Sequence, residues 1–149
     1  MRQDVKSLSS RIEGAMQLCK KVLECGEKIR ELSPLDIGIE SYAEELILHT
    51  EDRGRATRAA IQELNTINGF YETIEKDPTA TASEKAFLKE RISSINDLLA
   101  PLFIKQNSVI RKSIEVHLNS LRQESVEFRH NVGVIKNYLK APDNRTFYG

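Results

Sequence analysis

The sequence predicts an all-α protein, an elongated antiparallel helical bundle or coiled coil of three to four long helices, kinked at Pro101. Apolar residues recur at steps of three and four along most of the chain, which is the period of an α-helix. Only seven glycines and four prolines interrupt the 149 residues, too few turn residues for an all-β fold. The stretch 102–139 contains no proline and would form a helix roughly 55 Å long. Such a helix must pack against other long helices or present part of its apolar face to a partner.

The first helix is predicted from Asp4 to Ser33, because Pro34 disfavours helical backbone at the residue before it. Its apolar face has heptad spacing. The members of this face are Val5, Leu8, Ile12, Ala15, Cys19, Val22, Gly26 and Ile29. The small residues on this face, Ala15 and Gly26, are expected to let another helix approach closely.

A second helix of about 40 residues is predicted after Pro34, over residues 35–74. Its inward face comprises Leu35, Ile39, Tyr42, Leu46, His49, Arg53, Ala56, Ala60, Leu64, Ile67, Tyr71 and Ile74. His49 and Arg53 interrupt the apolar pattern and Gly54 follows, so a break there is an alternative to one continuous helix. We favour continuity because the segment lacks turn-forming sequences. The two polar residues are expected either to fix helix register or to face solvent.

Residues 76–81 form the clearest predicted loop, and Thr81 followed by Glu84 is typical of a capping box. The helix that follows has an apolar face made of Leu88, Ile92, Ile95, Leu99 and Leu102. Pro101 lies inside this pattern and lacks a backbone N–H. We therefore expect a kink or a short break over residues 97–100, within a helical segment that continues on both sides.

The long final helix carries one apolar stripe along its whole length. Its members are Phe103, Ile110, Ile114, Leu118, Leu121, Phe128, Val132, Ile135 and Leu139. Residues 141–149 are predicted to form an irregular tail that contains two aromatic side chains, Phe147 and Tyr148. We interpret residues 1–149 as one domain, because the length suits a single core.

Composition argues against several classes of function. The 22 basic and 22 acidic residues give a formal net charge of zero, whereas nucleic-acid-binding proteins usually have a basic excess. No apolar run is long enough to span a membrane, and the N-terminus lacks the apolar region of a secretory signal. Cys19 and Cys25, six residues apart on one helix, point too far apart to bridge. These features favour a cytoplasmic protein, with Cys19 in the core and Cys25 at the surface or half-buried.

No constellation of catalytic, cofactor-binding or metal-ligating residues is apparent, so we expect neither enzymatic activity nor a cofactor. Glu127 and His130 match the Glu-x-x-His pattern of di-iron helical bundles, but such a site needs a second copy and two further carboxylates. An enzyme or a metal-binding bundle is therefore the least favoured reading.

The C-terminal half resembles the flagellar type III export chaperones, of the FlgN type first and the FliT type second. The resemblance rests on the apolar run Ile95, Leu99 and Leu102, then Asn107, then the long amphipathic helix, and finally Tyr148-Gly149. It implies a small cytoplasmic protein that binds the C-terminal helical segments of hook-associated or cap proteins. Such a chaperone prevents premature assembly of its cargo and delivers it to a component of the export apparatus.

On this reading the partner surface is the stripe of the last helix together with the tail. The predicted partner-binding residues are Ile114, Leu118, Leu121, Phe128, Val132, Ile135, Leu139, Phe147 and Tyr148. Their apolar side chains suit helix-in-groove recognition. The alternative is a structural or regulatory helical module that forms a homodimer through the same long amphipathic helices.

Overall fold

Helices form almost all of the secondary structure, and no strand occurs within residues 1–122, 133 and 135–137, the part that this computed structural model describes. The helices are α1 (Gln3–Glu31), α2 (Pro34–Ile37), α3 (Ile39–Lys76), α4 (Ala82–Ser94) and α5 (Ala100–Arg122), with a π-helical turn at Ile95–Leu99. The predicted all-α class is confirmed. None of the helices described is both long and apolar enough to cross a membrane.

The connection between the first two long helices differs from the prediction. Helix α1 ends at Glu31, and Ser33 precedes the short helix α2, which begins with Pro34. Gly38 then adopts a φ of 81°, a left-handed conformation that disfavours side chains, before α3 begins. The prediction of one helix from Leu35 was therefore wrong, because Gly38 breaks it. Leu35 itself is 84% exposed and does not belong to the inward face.

Helix α3 continues without interruption past Gly54 to Lys76, as predicted. The loop that follows leads into the expected capping box at the start of α4. The Thr81 hydroxyl accepts a hydrogen bond from the Glu84 N–H at 3.1 Å, and the Glu84 carboxylate accepts one from the Thr81 N–H, also at 3.1 Å. Both side chains satisfy backbone donors that the first turn leaves unpaired.

Helical backbone continues from Ala82 to Arg122, so the segment is helical on both sides of Pro101 as predicted, and of the two alternatives, a kink or a short break, the break is not found. The π-helical turn at Ile95–Leu99 stands instead immediately before Pro101, whose ring has no N–H to donate to the preceding turn. A π-helical turn contains an additional residue, which shifts the phase of the apolar face by about one position. Ala100 and Phe103 are accordingly buried.

Ion pairs and hydrogen bonds set the relative directions of the helices. The first half of α1 contacts the last half of α3, because Arg2 pairs with Asp77 at 2.8 Å and Arg11 pairs with Glu63 at 2.8 Å. These two helices therefore run antiparallel. Glu84 in the first turn of α4 accepts from the Arg2 N–H at 3.2 Å, Arg91 pairs with Glu13 at 2.7 Å, and Gln106 of α5 donates to the Leu23 carbonyl at 2.8 Å. Helices α4 and α5 therefore run in the same direction as α1.

Two hydrophobic cores lie one after the other along the helices. The first core combines the first part of α1, the second part of α3, α4 and the start of α5. The side chains enclosed almost completely in this core include Ile12, Val22, Ile67, Leu88 and Phe103. The second core joins the end of α1, the start of α3 and the rest of α5. It contains Ile29, Tyr42, Ala43, Leu46, Ile110, Ile114, Leu118, Leu121 and Ile135.

Both cysteines are free and buried. Cys25 is only 7% exposed, which corrects the surface or half-buried position expected for it. Cys19 is fully enclosed in the first core, and this burial raises the pKa of its thiol to about 11. Because thiol reagents attack the thiolate, Cys19 should be protected in two ways, by enclosure and by protonation.

We predict that Cys19 in a Cys25→Ala variant reacts with a thiol reagent at pH 8 only as fast as the protein unfolds. The same variant in denaturant serves as the control and should react at once. Labelling followed by mass spectrometry measures both rates. Rapid labelling under native conditions would show that the first core opens locally around α1.

Candidate functional site

A layer of polar groups separates the two cores, and it joins α1, α3 and α5. The side-chain oxygen of Gln106 accepts hydrogen bonds from Arg53 Nε at 3.3 Å and Nη2 at 3.1 Å. The Gln106 amide nitrogen donates to the backbone carbonyl of Leu23 at 2.8 Å. Arg53 and Gln106 are each 8% exposed. Leaving a buried polar group without a hydrogen bond costs free energy. Any shift of one helix that broke these bonds would be unfavourable, so the bonds constrain how the three helices align.

Gly26 provides the space for this polar layer. A Cβ atom at Gly26 would lie 2.0 Å from the Gln106 side-chain oxygen, far inside van der Waals contact. The predicted close approach at Gly26 is therefore present, although a glutamine side chain and not a helix backbone fills the space. His49, the second polar residue expected on this face of α3, instead pairs with Glu45 at 3.0 Å.

The predicted partner-binding stripe is largely covered by the protein itself. Ile114, Leu118, Leu121 and Ile135 are between 1% and 5% exposed and belong to the second core. The end of α1 and the start of α3 cover these four side chains, so in this arrangement they are not accessible to a partner. The other predicted contacts, Phe128, Val132, Leu139, Phe147 and Tyr148, lie outside the residues that the structure describes.

A second apolar line on α5 is exposed. Leu98, Leu102, Val109 and Val116 are 66%, 48%, 37% and 62% exposed, at successive steps of four, seven and seven residues. Lysines stand between them at positions 105 and 112, so apolar and basic side chains alternate at steps of three and four. We call this set the α5 seam, and it comprises Leu98, Leu102, Lys105, Val109, Lys112 and Val116.

Sequence reasoning missed the α5 seam although a signal was present. Leu102 was assigned to the inward face because it continues the spacing from Leu99, but the π-helical turn shifts that phase and turns Leu102 outward. The seven-residue spacing of Leu102, Val109 and Val116 could have indicated a second apolar line. Two residues of this line precede residues of the buried stripe by one position, as Leu102 precedes Phe103 and Val109 precedes Ile110.

The α5 seam borders an open groove between α1 and α5, with a volume of about 420 Å³. The groove is lined by Leu23, Glu27 and Arg30 of α1 and by Leu102, Lys105, Gln106 and Val109 of α5. Glu27 and Arg30 pair with each other at 2.8 Å along the α1 rim. The α5 rim carries Lys105, which forms no ion pair with any residue in the described part of the chain.

A smaller groove of about 330 Å³ lies between α1 and α3 and is partly occupied by Arg11. The Arg11 guanidinium lies 5.2 Å from the centre of the Phe70 ring and donates to Glu63 at 2.8 Å. This hydrogen bond is the main reason that the pKa of Glu63 is lowered. The Arg11 cation therefore lies against one face of the aromatic wall of this groove, although Phe70 stays 49% exposed.

Helix α5 therefore offers an apolar line beside an open groove, an arrangement suited to binding another helix. Among the residues that the structure covers, no three His, Cys, Asp or Glu side chains come together as a metal site requires. Comparison with known proteins shows no match to a protein-family model, to a curated protein or to a solved structure.

Proposed function

We propose that this chain is an export chaperone of the flagellar type III system, of the FlgN or FliT type. It would hold the C-terminal helical segment of a hook-associated or cap protein in the cytoplasm and pass it to the export apparatus. The observation that carries the proposal is the α5 seam, because its four exposed apolar residues lie in line beside an open groove, as a surface for another helix requires.

The α1–α5 groove gives the bound segment a place to lie. A partner helix packed along α5 would cover Leu102 and Val109 and insert side chains between α5 and Leu23. In this proposal the chain forms an elongated antiparallel bundle that bends near Pro101. The seam would then form one long face of that bundle. Phe128, Val132, Leu139, Phe147 and Tyr148 remain proposed contacts beyond Arg122.

Titration with C-terminal segments of hook-associated and cap proteins from the same genome tests this function. We expect one segment to bind, and the Leu102→Ser/Val109→Ser variant to bind it more than about tenfold more weakly. The variant should keep its melting temperature, because both side chains are substantially exposed.

Leu48→Ser is the matched control, since Leu48 on α3 is 49% exposed and does not line the groove. It should bind the segment as the natural chain does. Failure of every segment to bind would reject the chaperone proposal. Equal losses in the control and the double variant would reject the location of the site.

The second candidate is a homodimer through the same seam, which the heptad spacing of Leu102, Val109 and Val116 favours. Light scattering distinguishes the two candidates. A dimer that dissociates in the Leu102→Ser/Val109→Ser variant would support the homodimer, and a monomer that binds a cargo segment would support the chaperone.

A further inference from the structure

The exposed charges of the α5 seam are basic. Helix α5 carries four cations, at positions 105, 111, 112 and 122, against a single carboxylate, Glu115. Lys105 follows Leu102 by three residues and precedes Val109 by four, and Lys112 stands in the same way between Val109 and Val116. Both lysines are exposed, and neither forms an ion pair within the part of the chain that is described.

These lysines occupy the positions at which a packed helix would make its contacts. In a two-helix pairing with heptad spacing, Leu102, Val109 and Val116 take one core position and Lys105 and Lys112 take the other. The lysine stems can lie on apolar surface while their ammonium groups reach to the edge of the contact. The ammonium groups lose hydration there, and this loss is offset only where the partner supplies carboxylates.

The opposite rim of the groove does not supply those carboxylates. Glu27, the acidic side chain of that rim, already pairs with Arg30 at 2.8 Å. A second copy of α5 would not supply enough of them in either orientation, because each helix offers one carboxylate, Glu115, against four cations. The charge pattern therefore favours a different partner, one with negative side chains.

We infer that the occupant of the α5 seam is an amphipathic helix of another protein that carries carboxylates between its apolar residues at heptad spacing. This inference rests on the proposed function and specifies the chemistry of the segment that the seam selects. Apolar contacts to Leu102, Val109 and Val116 would provide affinity. Charge pairing with Lys105 and Lys112 would select acidic helices over neutral and basic ones.

Three designed helical peptides test the inference, with the same apolar heptad residues and with Glu, Gln or Lys at the intervening positions. Fluorescence anisotropy with the full chain measures their binding. We expect the Glu peptide to bind at least about fivefold more tightly than the Gln peptide, and the Lys peptide to bind most weakly. Added salt should reduce the difference between peptides.

Charge reversal provides the decisive variant. Lys105→Glu/Lys112→Glu should invert the order, so that the Lys peptide binds more tightly than the Glu peptide. Lys20→Glu/Lys28→Glu, at two exposed positions of α1 that do not line the groove, adds the same charge and should leave the order unchanged. An unchanged melting temperature would show that both variants fold.

Two results would overturn the inference. Equal affinity for the Glu and Gln peptides, with no effect of the lysine reversal, would show that the seam recognises apolar residues only. If Lys20→Glu/Lys28→Glu also inverted the order of peptide affinities, the net charge of the protein and not the two seam lysines would determine the preference. In either case, binding of a cargo segment that Leu102→Ser/Val109→Ser weakens would leave the proposed function standing.

Discussion

Leu118→Ala is expected to lower the free energy of unfolding by about 2–5 kcal/mol, the usual effect of removing a large side chain from a packed core. Leu118 is 3% exposed and lies in the second core with Ile29, Tyr42 and Leu46. The substitution would leave a cavity between α5 and the other two helices. Urea denaturation followed by circular dichroism measures the change.

Val116→Ala is the matched control, because Val116 lies two residues before Leu118 on the same helix and is 62% exposed. Its effect should stay within about 0.5 kcal/mol. The comparison distinguishes the two apolar lines of α5, one of which is buried in the second core while the other is exposed. If Leu118→Ala left stability unchanged, Leu118 would not belong to a packed core.

Gly26→Ala is the second substitution with a large expected effect. Alanine normally stabilises a helix interior by about 0.5–1 kcal/mol relative to glycine. At Gly26 the added methyl group would displace the Gln106 side chain, and the bonds from Arg53 and to the Leu23 carbonyl would break. Because a hydrogen bond to a charged group contributes about 1.5–3 kcal/mol, we expect a net loss of stability.

Three further comparisons test the Gly26 prediction. In a Gln106→Ala background the obstacle is gone, so Gly26→Ala should become neutral or stabilising, and this change of sign measures the coupling between the two residues. Gly14→Ala and Gly69→Ala are the controls, because no atom lies within 4 Å of the added Cβ at either position. Both controls should stabilise their helices. A stabilising effect of Gly26→Ala in the natural background would contradict the close packing of Gln106.

The parts of the fold that the sequence predicted depend on neighbouring residues. The capping box of Thr81 and Glu84 needs only two side chains three residues apart, and the loop before α4 follows from Pro78 and the polar residues around it. The continuity of α3 past Gly54 likewise follows from its local periodicity. Gly38, a local signal that was overlooked, accounts for the misplaced start of the second long helix.

The sequence by itself determined that the described part of the chain is helical, approximately where most of its helices begin and end, and that one apolar stripe of α5 runs through Phe103, Ile110 and Leu118. Only the tertiary structure decided that the end of α1 and the start of α3 cover this stripe, and that Leu102, which follows the π-helical turn, faces outward. The polar layer was also beyond local reasoning, since Arg53 and Gln106 meet across 53 residues of chain. Periodicity reports that a helix has an apolar face, whereas the neighbour that covers this face depends on how distant segments pack.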